Sequence, residues 1–129
     1  MASRQTLLCA ALLGMMAVML GAFGAHALSN VLELRMQQVY QTAVQYQFWH
    51  ALALLATGIL QRVCDVSLLK VAALLFLAGV LLFCGSLYLM ALTGIRQLGM
   101  ITPLGGILFI LGWAFLAWSV IRLEKQQDR

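Results

Sequence analysis

Charge is scarce in this chain. Eight basic and four acidic side chains carry all of it in 129 residues, a share of 9%, while 64% of residues are hydrophobic. Soluble domains carry about 25% charged residues. So few ionised groups cannot clothe a surface in water, which excludes an ordinary cytosolic enzyme, a disordered chain and a secreted disulfide scaffold. Cysteine is scarce too. Cys9, Cys64 and Cys84 make neither an even disulfide framework nor a metal-ligand spacing, and are expected as free thiols. Basic patches interleaved with aromatics are absent, so nucleic acid is not an expected partner. No Gly/Ser linker or repeat divides the chain, and one membrane domain over residues 1–129 is expected.

What is present lies between the charges. Gln5–Leu32, Met36–Gln61, Val71–Ile95 and Gln97–Ile121 are free of ionised side chains and hold 28, 26, 25 and 25 residues. About 20 apolar residues cross a bilayer as a helix, and continuous rather than alternating apolarity argues against a barrel. The fold class expected is all-α: an integral membrane four-helix bundle spanning at about 5–28, 43–61, 68–93 and 103–121. The second stretch opens on glutamines and tyrosines, with Leu32, Met36, Val39 and Ala43 forming one apolar stripe. Residues 30–42 are therefore expected as a short amphipathic segment, either along the interface or as an extension of the second span. No Gly or Pro from Ala25 to Thr57 marks a break between them.

Four spans put Arg4, Arg62, Lys70, Arg122, Lys125 and Arg129 on one side, against Arg35 and Arg96 on the other. The positive-inside rule then places both termini in the cytoplasm. Ala25-His26-Ala27 resembles a signal-peptide cleavage site, but the apolar run from Leu7 is too long for one, and retention is expected.

Helix packing in lipid depends on close backbone approach. Gly14, Ala17, Gly21 and Ala25 in the first span, and Gly105, Gly112 and Ser119 in the last, are expected packing faces, with Gly79 and Gly85 thinning the third. Thr102-Pro103 reads as a capped helix start after a turn at Gly94 and Gly99. Trp118 suits the inner interface, while Trp49 and Trp113 are expected to fill space.

Polar groups inside the spans concentrate toward the outer side. His26 lies roughly 3 Å from the end of its span, His50 roughly 10 Å in, and Ser86 and Tyr88 roughly 8–10 Å in. Tyr46, His50, Ala53 and Thr57 share one helical face, with Gln47 beside it. His26, Tyr46, Gln47, His50, Ser86 and Tyr88, with Thr102, form the candidate polar cluster. Its first reading is structural: neutral imidazoles bonded to hydroxyls, amides or carbonyls that tie helices together. The alternative is a small-molecule, ion or lipid carrier. Two histidines without Cys or carboxylate are a weak basis for haem or metal, so no cofactor is expected. A proton-coupled exporter would want an acid in the membrane, and the four acids lie outside the spans. A hydrolase would need an oriented base, and none is near Ser86 or Cys84, so no enzymatic activity is expected. Partners expected are membrane lipids and a membrane protein or second copy.

Five ordered motifs carry a family resemblance. They are Gly21-Ala22-Phe23-Gly24-Ala25-His26, the run from Thr42 through Gln47-Phe48-Trp49-His50 to Ala53, Leu82-Phe83-Cys84-Gly85-Ser86-Leu87-Tyr88, Thr102-Pro103-Leu104-Gly105-Gly106, and Gly112-Trp113. Over residues 10 to 122 the chain resembles domain of unknown function family 423 (UPF0382), the small YgdD-like inner-membrane proteins, similar to eukaryotic transmembrane protein 256. The resemblance implies a multi-pass protein of the bacterial inner membrane and brings no activity, substrate or cofactor. The chain departs from the family pattern at Cys84, where that pattern has Ser, which argues against a need for a hydroxyl there.

Overall fold

A continuously apolar segment in lipid has only its own backbone to bond with, and helix is the single-segment solution. The computed structural model describes residues 1–128. Its elements are α1 Ser3–His26, α2 Leu34–Val63, α3 Ser67–Gly79, a π-helical turn Val80–Cys84, α4 Gly85–Thr93, a 3-10 turn Arg96–Met100 and α5 Thr102–Gln127. The π turn joins α3 to α4 without a gap, so the protein is an all-α bundle of four rods.

Ser3–His26, Ser67–Thr93 and Arg96–Lys125 are each long and apolar enough to cross a membrane. α2 is long enough at 30 residues but is diluted by glutamine. Its neighbours flank it on both sides. Gly58 packs on Leu7 and Thr6, Gln47 bonds to Leu13 and Tyr40 to Leu20, which makes α2 antiparallel to α1 over its length. On its other flank His50 meets Phe76, Tyr46 meets Phe83 and Tyr40 meets Tyr88, again antiparallel. α2 thus lies at the same depth as two apolar rods along its whole course. α5 returns antiparallel to α3 and α4, with Gly112 on Phe76, Gly79 on Phe109 and Gly105 on Phe83.

The observed helices differ from the expected spans chiefly at α2. Residues 34–42 are continuous with the span, and the break falls at 27–33. Met36, Tyr40 and Ala43 are buried, so the amphipathic stripe packs into the bundle as an extension of α2. Gln37 ties down the link, its Nε2 donating to the carbonyls of Ser29 (2.7 Å) and Leu32 (2.8 Å). Leu28 in the link is buried with Tyr40 and Ala91. At the other turn, Gly94 adopts the left-handed conformation (φ 74°) that ends α4, its N–H donating to Met90 O. Pro103 sits in the first turn of α5, but Thr102 does not cap it; its hydroxyl is engaged with Ser86 instead.

Glycine faces join α3 and α4 to α5. Gly79 receives the Phe109 ring and Gly112 receives the Phe76 ring, reciprocal knobs where a Cβ would come within 2.5 Å and 2.8 Å of ring carbon. Gly105 lies against the backbone of Phe83, leaving no room for a methyl. Ser119 is fully buried on the same face, its hydroxyl donating to Phe115 O. On α1, Gly21 packs on Val44 as expected, yet three of the expected packing residues have no such role within one chain. Gly14 and Gly85 have nothing within 4 Å of where a Cβ would stand, and Ala25 is exposed. The reason for α1 is that α2 is almost its whole contact partner, so only one of its faces is covered. The tight α1 approaches fall instead at Gly24 on Tyr40 and at Gly58 of α2 on Leu7. Trp49 and Trp113 are both 48% exposed rather than filling space. Trp118 has the Arg122 guanidinium over its ring, 5.1 Å from the centroid, a pairing suited to the headgroup zone.

Candidate functional site

Most of the polar side chains that bond between helices lie in the half of the bundle near the α1–α2 and α4–α5 links, and each joint between rods contains one. Gln47 is 2% exposed at the meeting of three helices. Its Nε2 donates to Leu13 O of α1 at 2.9 Å, and its Oε1 accepts from the Tyr88 hydroxyl of α4 at 2.8 Å. The Leu13 carbonyl also serves the α1 ladder, which a carbonyl with two lone pairs allows. Tyr40, about two turns nearer the start of α2, donates its hydroxyl to Leu20 O and sets its ring edge-on to Tyr88, centroids 5.4 Å apart.

His50 clamps α2 to α5. Its Nδ1 lies 2.7 Å from Tyr46 O, and the Trp113 indole N–H donates to its Nε2 at 3.2 Å. A carbonyl can only accept and an indole N–H can only donate. Those two partners therefore select the neutral tautomer with hydrogen on Nδ1. Protonating Nε2 would oppose two N–H groups. Phe109 stacks on the imidazole with centroids 3.6 Å apart, and Tyr46 stacks on Phe83 at 4.6 Å, so an aromatic column fills the space between α2, the π turn and α5.

Ser86 joins α4 to α5. Its hydroxyl donates to Phe83 O at 2.9 Å and lies 2.6 Å from Thr102 Oγ1, so the remaining proton on that contact is the one from Thr102. Deeper in α2, Thr57 is fully buried and donates to Ala53 O, one turn back.

The structure brings together Tyr46 with His50, Gln47 with Tyr88, and Ser86 with Thr102. His26 stands apart, exposed at the last residue of α1. Tyr40 and Trp113 complete the network and were missing from the expected cluster. Tyr40 was hidden by its place among the exposed glutamines of the α2 extension, and Trp113 by its apolar surroundings; the Trp donor that His50 requires is the signal that could have found it. Cys84, the departure from the family pattern, is 1% exposed in the π turn and is a free thiol, as are half-buried Cys9 and Cys64. Among the described residues no three His, Cys, Asp or Glu side chains converge as a metal-binding group.

Comparison with known proteins agrees with this architecture. The UPF0382 membrane protein SSP2132 of Staphylococcus saprophyticus is 47% identical over 113 residues, 88% of this chain and 93% of the relative. The UPF0382 inner membrane protein YgdD of Escherichia coli K12 is 41% identical over 128 residues, 98% of this chain and 96% of its own. YwdK of Bacillus subtilis, also a UPF0382 membrane protein, is 40% identical over 109 residues, 84% of this chain and 89% of its own. No solved structure matches the chain. The family model described as "Protein of unknown function (DUF423)" matches residues 20–106, which run from the last two turns of α1 to the start of α5. The chain belongs to the DUF423 family.

Proposed function

We propose that this chain is a non-enzymatic bundle of the bacterial inner membrane that works through contact with lipids or other membrane proteins. The observation that carries this reading is that His50 and Gln47 are bonded within the protein; among the described residues the buried side-chain atom left without a partner is Gln61 Oε1, near the other end of α2. Both ring nitrogens of His50 are engaged, by Tyr46 O and by the Trp113 N–H. Gln47 gives an N–H to α1, and its Oε1 accepts from α4. A carrier site needs polar atoms left over for cargo, and these have their partners within the protein. Such bonds supply directional attachment where apolar contact alone gives helices little preference over lipid.

The inner-membrane location rests on the relative named as an inner membrane protein. Both termini are proposed to be cytoplasmic. The antiparallel order of the rods gathers Arg4, Arg62, Lys70, Arg122 and Lys125 at one end of the bundle, with Arg35 and Arg96 at the other. That asymmetry supports an inside-positive orientation. Arg129, counted on the same side, lies outside the described residues.

His50→Ala and His50→Gln in purified protein test the structural reading. Both are expected to insert, with His50→Ala losing about 2–4 kcal/mol for a stacked, doubly bonded ring and His50→Gln losing less. The reading fails if His50→Ala melts like wild type yet loses a small molecule or ion that wild type retains in a native mass spectrum.

A further inference from the structure

The face of α1 and α2 turned away from α3–α5 carries a groove of about 560 Å³, lined by Gly21, Gly24 and Ala25 on one side and Tyr40, Gln41 and Gln45 on the other. It continues past Gln45 into a second, more open hollow of about 300 Å³ flanked by Val18, Phe48 and Trp49. Gly14, a heptad before Gly21, extends the same small-residue face and has open space where a Cβ would be. Gln45 sits where the two hollows meet. Its neighbour Val44 packs on Gly21, which is five residues, or roughly 8 Å, inside the end of α1. Around it Val18, Phe48 and Trp49 are 63%, 41% and 48% exposed, the mark of a surface facing hydrocarbon. The α2 glutamines with a bonded side-chain amide are Gln37, Gln47 and Gln61. The exposed Gln45 amide has no such partner among the described residues.

An amide at this depth has to be satisfied. Lipid chains offer it nothing. Lipid esters accept but do not donate, so they would leave Oε1 bare. A second amide both donates and accepts. Every copy of a membrane protein is inserted the same way, so a twofold axis along the membrane normal places identical residues at identical depth. We infer that two copies of this chain pair through the α1–α2 groove, with Gln45 of each donating to and accepting from Gln45 of the other, and the small face of Gly14, Gly21 and Ala25 admitting the partner helix. This names the partner for the contact-based reading above and rests on it.

Two measurements in membranes test the pairing. In a background carrying Cys9→Ala, Cys64→Ala and Cys84→Ser, Gln45→Cys is expected to give a covalent dimer on oxidation, whereas Ile110→Cys, on the 70% exposed outer face of α5, is not. In lipid nanodiscs or dilute liposomes, wild type is expected as two copies by native mass or photobleaching steps. Gln45→Leu should weaken association about tenfold, the scale of an intramembrane hydrogen-bonded pair, while Gln45→Asn keeps much of it. A monomeric wild type, a Gln45→Leu dimer of unchanged strength, or equal crosslinking at both positions overturns the proposal. A monomer whose His50 variants still behave structurally would sink the pairing alone and leave the contact-based reading standing.

Discussion

Replacing Tyr88 with Phe removes one oxygen and leaves Gln47 Oε1 facing nothing in a site where the glutamine is 2% exposed. An unsatisfied buried acceptor costs about 1–3 kcal/mol, so Tyr88→Phe is expected to destabilise by that amount. Gln47→Leu fails differently. It strands the Tyr88 hydroxyl and frees the Leu13 carbonyl, which keeps its place in the α1 ladder, and a cost of about 1–2 kcal/mol follows for the hydroxyl. In the double variant neither polar atom remains and the apolar surfaces can meet. The two single effects should therefore not add: a coupling of about 0.6–1.7 kcal/mol is expected, the range found between hydrogen-bonded pairs in membrane bundles. Reversible unfolding of the four proteins in mixed micelles, followed by circular dichroism, gives the cycle. Additivity within about 0.3 kcal/mol would refute the claim that this bond ties α2 to α4.

Two further outcomes follow from the same geometry. Gly105→Ala would drive a methyl into the Phe83 backbone, which cannot rotate away as a side chain can, and a loss of about 1–3 kcal/mol is expected from overpacking. Gly85→Ala, with open space at its Cβ, should instead stabilise by up to about 1 kcal/mol through helix propensity; thermal melts of the pair in one detergent check both signs. For orientation, a C-terminal reporter active only in the cytoplasm should be active and one active only in the periplasm silent, and the reverse would overturn the assignment of the termini.

Helix number and rough limits were legible because charge placement is a one-dimensional property: ionised residues must lie outside hydrocarbon, whatever the packing. The α5 glycine face was legible for a related reason, since Gly105, Gly112 and Ser119 recur by heptads along one helix. On α1 the small residues divide: Gly21 meets α2, while Gly14 and Ala25 have no close contact within one chain. A small residue at helical spacing states that something can approach, without stating which neighbour does, and α1 has one principal neighbour rather than two. The Thr102 cap failed through position: α5 begins one residue earlier than a Thr cap requires, with Ile101 at the N-cap, so Thr102 is already helical and its hydroxyl meets Ser86 instead. The π turn left no trace at all in the sequence, because one extra residue in a continuously apolar helix changes no pattern.

Gln45 and Gln47 show most directly what a sequence leaves undecided. They are the same residue type two positions apart, and on a helix two positions are roughly 200° of rotation. One must face in if the other faces out. The stripe Met36, Val39, Ala43 settles which: it is buried or half-buried, and Gln47 lies four residues beyond Ala43 on that same side, where it meets Leu13 and Tyr88. Gln45 is then turned outward among exposed apolar side chains. The inward amide is explained by the monomer and the outward one is not. The cost of an unpaired amide in hydrocarbon is what makes that difference informative, since a position of no consequence could carry Leu at no expense to the bundle. The unexplained polarity of this chain therefore lies on its α1–α2 surface rather than at the histidine in its interior.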